Sequence, residues 1–328
     1  MTATVPTRPA SVIPLALFAM PLGVVGLAGA WSFAAAHAAL PSWPAEALYV
    51  GAALLWVVYT VVWLVELGRG RRALRDDLRH ASTGPFAGYP PVVGILLAAH
   101  LASFAPVAGL VLCVVFVSIL AIVEAVLVQG WISGGLDRER LHMGYFLPVV
   151  AGSFIASIGL SVVRLHDAAI AAFGVGVFYY AILGAIVVSR LVTGAPLPLA
   201  LRPSLSILLA APATGGTAWF ELHGDRHDLV QTMFLGIVVM MALVQVLLIR
   251  MYRHVPFSMG YWTFGFPVAS TCAYLVRWIL DERPVGWEAW LGIALGLATA
   301  WIVALAIATL VHVLRGRVES HRLVRAHR

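Results

Sequence analysis

The sequence predicts an all-α integral membrane protein: ten transmembrane helices arranged as five helical hairpins around a central pore. Three observations carry this expectation. The 328 residues are 61% hydrophobic and only 11% charged, with a mean hydropathy of +0.94, against roughly 25% charge in a typical soluble domain. The apolar residues gather into ten runs, each near the ~20 residues that a membrane-crossing helix needs. The prolines inside those runs fall almost entirely in the odd-numbered ones. Such a composition excludes a soluble enzyme, a disordered chain and a secreted disulfide scaffold. An outer-membrane barrel is also excluded, because its strands alternate in polarity.

The runs are 11–36, 45–67, 88–105, 107–129, 144–163, 168–192, 203–220, 228–250, 258–280 and 286–314. They define a ten-helix domain over 11–314, a short cytoplasmic N-terminus over 1–10 and a basic cytoplasmic tail over 315–328. The first run ends in Ala34-Ala35-Ala36-His37-Ala38, which mimics a signal-peptidase site. It is too long for a signal h-region, and nine more runs follow it. Run one contains Pro14 and Pro21, run three opens with Pro90-Pro91, and runs five, seven and nine contain Pro148, Pro212 and Pro267. Even runs have proline only at their starts, as at Pro44 and Pro106, where it is tolerated. An interior proline removes a hydrogen bond and kinks a helix. Within a membrane such breaks survive where protein or a water-filled cavity satisfies the freed backbone. A broken helix followed by a straight one, five times over, makes a hairpin repeat.

All 21 basic residues are arginine, as a GC-rich bacterial genome produces, and the expected location is a bacterial inner membrane. With the N-terminus in the cytoplasm, only Arg164, Arg226, Arg277 and Arg283 fall outside. Arg8, the group Arg69, Arg71, Arg72, Arg75 and Arg79, and all the rest fall inside, which satisfies the positive-inside rule with both termini cytoplasmic. The arginines are scattered between apolar runs rather than clustered in a patch, so no nucleic acid is expected as a partner. Cys113 and Cys272 lie in separate runs and form no redox or metal motif. Zinc-protease, nucleophile-elbow and phosphate-loop motifs are missing, so neither enzyme activity, nor a cofactor, nor a metal is expected.

Candidate site residues are few. Ser153, Ser157 and Ser161 form one stripe at i, i+4 and i+8, and Gly23 and Gly26 in run one and Thr214 to Thr217 in run seven lean the same way. They line a polar path or let helices pack closely. His100 is the one titratable group in an odd run that a proton-coupled mechanism could use, or else a hydrogen-bonded packing histidine. Glu66 and Glu124 sit near the cytoplasmic ends of even runs, in interfacial roles. Arg164 and Arg277, at the outer ends of odd runs, either concentrate anions at an outer mouth or snorkel to the interface. At ~100° per residue, Thr263, Phe266, Ser270 and Arg277 share one helix face and Phe264 lies off it. A polar stripe interrupted by one ring beside Pro267 suits a hydrophobic gate; the alternative is a core phenylalanine.

Several stretches carry a resemblance. Phe173-Gly174-Val175-Gly176 is followed by Ser189-Arg190-Leu191, Pro196-Leu197-Pro198, Leu201-Arg202-Pro203-Ser204 and Ala211-Pro212. Together with Phe18-Ala19-Met20-Pro21-Leu22-Gly23 and Tyr261-Trp262-Thr263-Phe264-Gly265-Phe266-Pro267, this series resembles the tellurite-resistance/dicarboxylate transporter family, which includes bacterial tellurite-resistance permeases and plant guard-cell slow anion channels. The family's His-Pro pair before its third helix is replaced by His80-Ala81. The resemblance implies ten helices in five hairpins, a homotrimer, and a pore occluded by a phenylalanine that matches Phe266. The expected function is a passive anion channel or uniporter for small inorganic or carboxylate anions. The alternative is a proton-coupled exporter of C4-dicarboxylates, sulfite or tellurite-type oxyanions.

Overall fold

The computed structural model describes residues 13–70, 74–80, 83–135, 138–224 and 228–326. The segment 1–10, Arg8, Arg71, Arg72, Ala81, Arg226 and Arg328 lie outside the described residues. Those described residues form eleven α-helices: α1 (Ala19–Ala38), α2 (Trp43–Gly68), α3 (Leu74–Arg79), α4 (Tyr89–Leu101), α5 (Pro106–Gly130), α6 (Ser153–Val162), α7 (His166–Thr193), α8 (Ile207–His223), α9 (Leu229–Tyr252), α10 (Gly265–Glu282) and α11 (Trp287–Ala326). The last helix continues past the expected end of its run at 314 and takes in most of the basic tail.

Eight helical segments among the described residues are long and apolar enough to cross a membrane. The two expected spans outside that set are α8 and α10, whose residues include Thr214, Thr217 and Glu221, and Arg277, Asp281 and Glu282. Burial separates the helices into two populations. Windows over Leu15–Ala38, Gly84–Leu101 and Met143–Val162 are 67–83% buried, whereas the other five are 6–28% buried. The buried helices contact one another in a closed cycle, α1 to α4 to α6 to α8 to α10 and back to α1. Each also packs on the helix that follows it, as α1 on α2, α4 on α5, α6 on α7, α8 on α9 and α10 on α11. The sparsely buried partners thus present their Val, Leu and Ile side chains outward, as lipid contact requires.

The prolines do not break helices in mid-course, as the sequence suggested. Each buried helix is entered through a tighter or looser turn: 3₁₀ at Leu15–Phe18, Gly84–Gly88, Leu199–Ser206 and Met259–Phe264, and π at Leu147–Gly152. Pro21, Pro90, Pro91 and Pro267 occupy the first α-turn after these entries, and Pro148 lies within the π turn. A missing N–H costs least there, because first-turn N–H groups have no intrahelical partner. Pro212 alone is interior. The carbonyls exposed at the entries find protein donors. Trp56 Nε1 donates to Pro90 O at 2.8 Å, Gln245 Nε2 to Leu205 O at 3.0 Å, and Ser206 Oγ to Thr263 O at 3.2 Å. Side chains of the outer helices α2 and α9 therefore satisfy backbone that lipid could not.

Close packing of α1 on α10 depends on glycine. A Cβ placed on Gly23 would lie 3.1 Å from the backbone of Gly265, and one on Gly26 would lie 3.2 Å from the Phe266 ring. Gly23 is thus a crossing point between two backbones. On the opposite side, Gln231 of α9 donates to Gly216 O at 2.7 Å, and Tyr274 Oη of α10 donates to Gln231 O at 2.9 Å, tying α8, α9 and α10 together.

Candidate anion pathway

A cavity of about 300 Å³ lies inside the cycle of buried helices. Its walls come from all five, over Val25 to His37, Leu96 to Ser103, Ile155 to Val162, Thr214 to Glu221 and Phe266 to Arg277: α10 lines it from its first turn, α6 over nearly its whole length and the other three over their C-terminal portions, with Tyr49 of α2 reaching in. The five helices therefore run parallel. Phe266, in the first turn of α10, lines the cavity toward one end and is 7% exposed. Arg277 stands at the other end, about 16 Å further along the helix at ~1.5 Å per residue.

Much of the wall is apolar, with Val25, Ile155, Ile158 and Val162 prominent. Three of the hydroxyls in it bond to their own helices: Thr214 donates to Ala210 O at 2.7 Å, Thr217 to Ala213 O at 3.0 Å and Ser270 to Pro267 O at 3.2 Å. Such groups give weak, multiple contacts rather than one tight site. The charged groups gather at the end away from Phe266 and are paired. Arg277 donates to the Glu221 carboxylate and lies over the Phe33 ring, 4.1 Å from its centroid. His100 Nε2 is 3.1 Å from Glu46 Oε2, and its ring stacks on Tyr49 at 3.5 Å between centroids.

The cavity brings together Phe266, Ser270, Arg277 and His100. Gly26, Thr214 and Thr217, which the sequence grouped with the small and hydroxylated residues, also line it; Gly23, Ser153, Ser157, Ser161, Thr263 and Arg164 do not border it. Thr263 sits in the 3₁₀ entry before α10, so the ~100° step that grouped it with Phe266 does not apply across that turn. On α1 the cavity is lined by Gly26 and Gly29, while Gly23 meets Gly265. α6 turns Ile155, Ile158 and Val162 toward the cavity, and its serine stripe elsewhere. At one end of that stripe Ser153 Oγ donates to Glu124 Oε1 of α5 at 3.3 Å. Ser157 is fully buried. Arg164 follows the end of α6 with a left-handed φ of 63° and is exposed outside the cavity. Glu66 is buried on α2. No group of three or more His, Cys, Asp or Glu side chains poised to hold a metal occurs among the described residues.

Sequence reasoning missed Glu221, Glu46, Tyr49 and Phe33. Glu221 lies 56 positions from Arg277, too far for any local spacing to link them. The available signal was charge complementarity between the ends of two odd runs.

Apolar helices of membrane-crossing length, packed pairwise outside a closed cycle of buried ones, define a multi-pass α-helical membrane protein with an internal cavity. The chain belongs to the voltage-dependent anion channel family: the model of that family, described as SLAC1, matches residues 13–314. Among its relatives in Arabidopsis thaliana, the S-type anion channel SLAH3 is 22% identical over 311 residues, covering 91% of this chain and 48% of the relative. The S-type anion channel SLAH2 is 24% identical over 270 residues, covering 79% and 50%. The guard cell S-type anion channel SLAC1 is 28% identical over 187 residues, covering 56% and 33%. The chain spans about half the length, or less, of these relatives.

Proposed function

We propose that this chain is a passive anion channel or uniporter of a bacterial inner membrane, conducting small inorganic or carboxylate anions along the axis of the five buried helices, with Phe266 as the gate. In this reading ten helices cross the bilayer as five hairpins around that path, both termini are cytoplasmic, and three copies assemble. The observation that carries it is the cavity lined by all five buried helices, with the Phe266 ring among its lining residues. An apolar constriction blocks ions by excluding water, and moving one side chain reopens it. Beyond the ring, Thr263 begins the cytoplasmic half of the path. The paired charges and self-bonded hydroxyls suit conduction, which needs binding weak enough to release. The relatives in Arabidopsis thaliana, named as S-type anion channels, point the same way.

Reconstitution into liposomes tests the reading. Anion efflux is measured first under a potassium-diffusion voltage and then under a pH gradient alone. Voltage-driven flux without proton movement is expected; flux that requires the pH gradient overturns the passive mechanism. A second reading, the proton-coupled exporter of dicarboxylates or oxyanions, draws on the His100–Glu46 contact in the cavity wall. It predicts the latter result, abolished by His100→Gln.

A further inference from the structure

We propose that Glu221 is a tethered anion that occupies the anion site on Arg277, so that every permeating anion must compete with this carboxylate. The proposal rests on the reading that anions traverse the cavity. Arg277 and Glu221 both line it, at the end opposite Phe266. The guanidinium is anchored: its side chain is only 7% exposed and the Phe33 ring covers one face. The carboxylate is the more open member of the pair at 20% exposure, and it stands in the last turn of α8, next to Gly224 with its positive φ. A fixed cation facing a more accessible anion is the arrangement in which the anion is the exchangeable partner.

Chemistry supports the exchange. Among the described residues lining the cavity, Arg277 is the only arginine. The other titratable groups there are His100, which contacts Glu46 behind it, together with Tyr49 and His37, whose Nδ1 lies 2.9 Å from Phe33 O. With Glu221 seated, this end of the cavity presents no net positive charge to an incoming anion. With Glu221 displaced, a guanidinium offers paired N–H donors matched to a planar oxyanion or a carboxylate. Five parallel helices also point their C-termini, and so their partial negative charge, at this end, which makes Arg277 the counterweight. The competing carboxylate keeps the site weak enough for release.

Nitrate binding to the detergent-purified full chain provides the test, read as the rise in thermal-unfolding midpoint with nitrate at ionic strength held constant by a bulky sulfonate. A hydrogen bond to a charged group contributes ~1.5–3 kcal/mol, so Glu221→Gln is expected to lower the half-stabilising nitrate concentration by about tenfold or more. Arg277→Gln and the double variant should lose nitrate-dependent stabilisation. Glu221→Asp, which keeps the charge on a shorter arm, should fall between wild type and Glu221→Gln and covers the case in which the glutamine variant fails to fold. A nitrate dependence in Glu221→Gln or Glu221→Asp equal to that of wild type overturns the proposal. So does an equal drop in the salt-free midpoint of Glu221→Gln and Arg277→Gln without any change in nitrate response, since that marks a purely structural tie between α8 and α10. Binding is read without flux, so failure of the Phe266 gate in a conductance assay leaves this outcome distinguishable.

Discussion

Replacing Phe266 by alanine separates a gate from a packing residue. A phenylalanine sealed in a core costs ~3–5 kcal/mol when truncated to alanine. Phe266 packs against Gly26 on one side and borders a cavity of about 300 Å³ on the other, so part of its ring meets no protein. The expected stability loss is therefore smaller, ~1–3 kcal/mol, because fewer contacts vanish and little new void forms. The effect on conduction has the opposite sign. Every ~1.4 kcal/mol removed from a barrier is a factor of ten in rate, and opening the proposed gate should raise anion flux on the order of tenfold. The assay is voltage-driven nitrate efflux from proteoliposomes, normalised to folded protein by size-exclusion chromatography. Phe264 supplies the control. It is buried, and its ring meets Tyr252, Tyr261 and Trp301 rather than the cavity. Phe264→Ala should lose the full core cost of ~3–5 kcal/mol and gain no flux. Unchanged or lower flux from a well-folded Phe266→Ala protein would falsify the gate, and a rise from Phe264→Ala alone would show that the wrong ring was chosen.

Other consequences are open to measurement. Gly26→Ala places a methyl against the Phe266 ring and should change flux while the protein remains folded, whereas Gly23→Val drives a side chain into the Gly265 backbone and should prevent assembly of α1 on α10, seen as loss of monodisperse protein. In a background lacking Cys113 and Cys272, cysteine at Ile158 or Thr217 should react with small charged thiol reagents and cysteine at Ser157 should not; the reverse pattern would restore the serine stripe as the lining. Tags at both termini should be protected from protease in intact cells and cleaved in inverted vesicles, and digestion of either from outside would overturn the cytoplasmic placement.

Much of the architecture was legible because lipid leaves a coarse mark on sequence. Eight of the ten apolar runs are helices that qualify as spans on length and composition. The two that do not, α8 and α10, carry polar and charged residues, of which Thr214, Thr217, Ser270 and Arg277 are buried. The prolines signalled which helices differ, but not how. Phe18, Tyr145 and Phe264 each precede a proline by three positions, a mark of the 3₁₀ or π entry that was readable and not used. Helical projection grouped Phe266, Ser270 and Arg277, and all three border the cavity; it failed at Thr263, where the turn changes type. The serine stripe misled because small hydroxyls serve close packing as well as water, and periodicity alone does not separate the two. The Arg277–Glu221 and His100–Glu46 contacts join residues 56 and 54 positions apart, and only the fold brings them together.

The closed cycle of same-way helices has a consequence for transport kinetics. Many coupled carriers are built from repeats of inverted topology, whose near-equivalence gives an inward-facing and an outward-facing state of similar energy. Here every unit enters with a buried helix and leaves with an outer one, so all five share one direction. An odd number of such units cannot divide into two matched halves that rock about a central substrate. On the proposed path the two ends are also chemically unlike, with Phe266 toward one and the Arg277–Glu221 pair toward the other. Under the proposed function, an assembly of this kind favours a stationary scaffold in which side chains move, and a current through it should depend on the direction of flow.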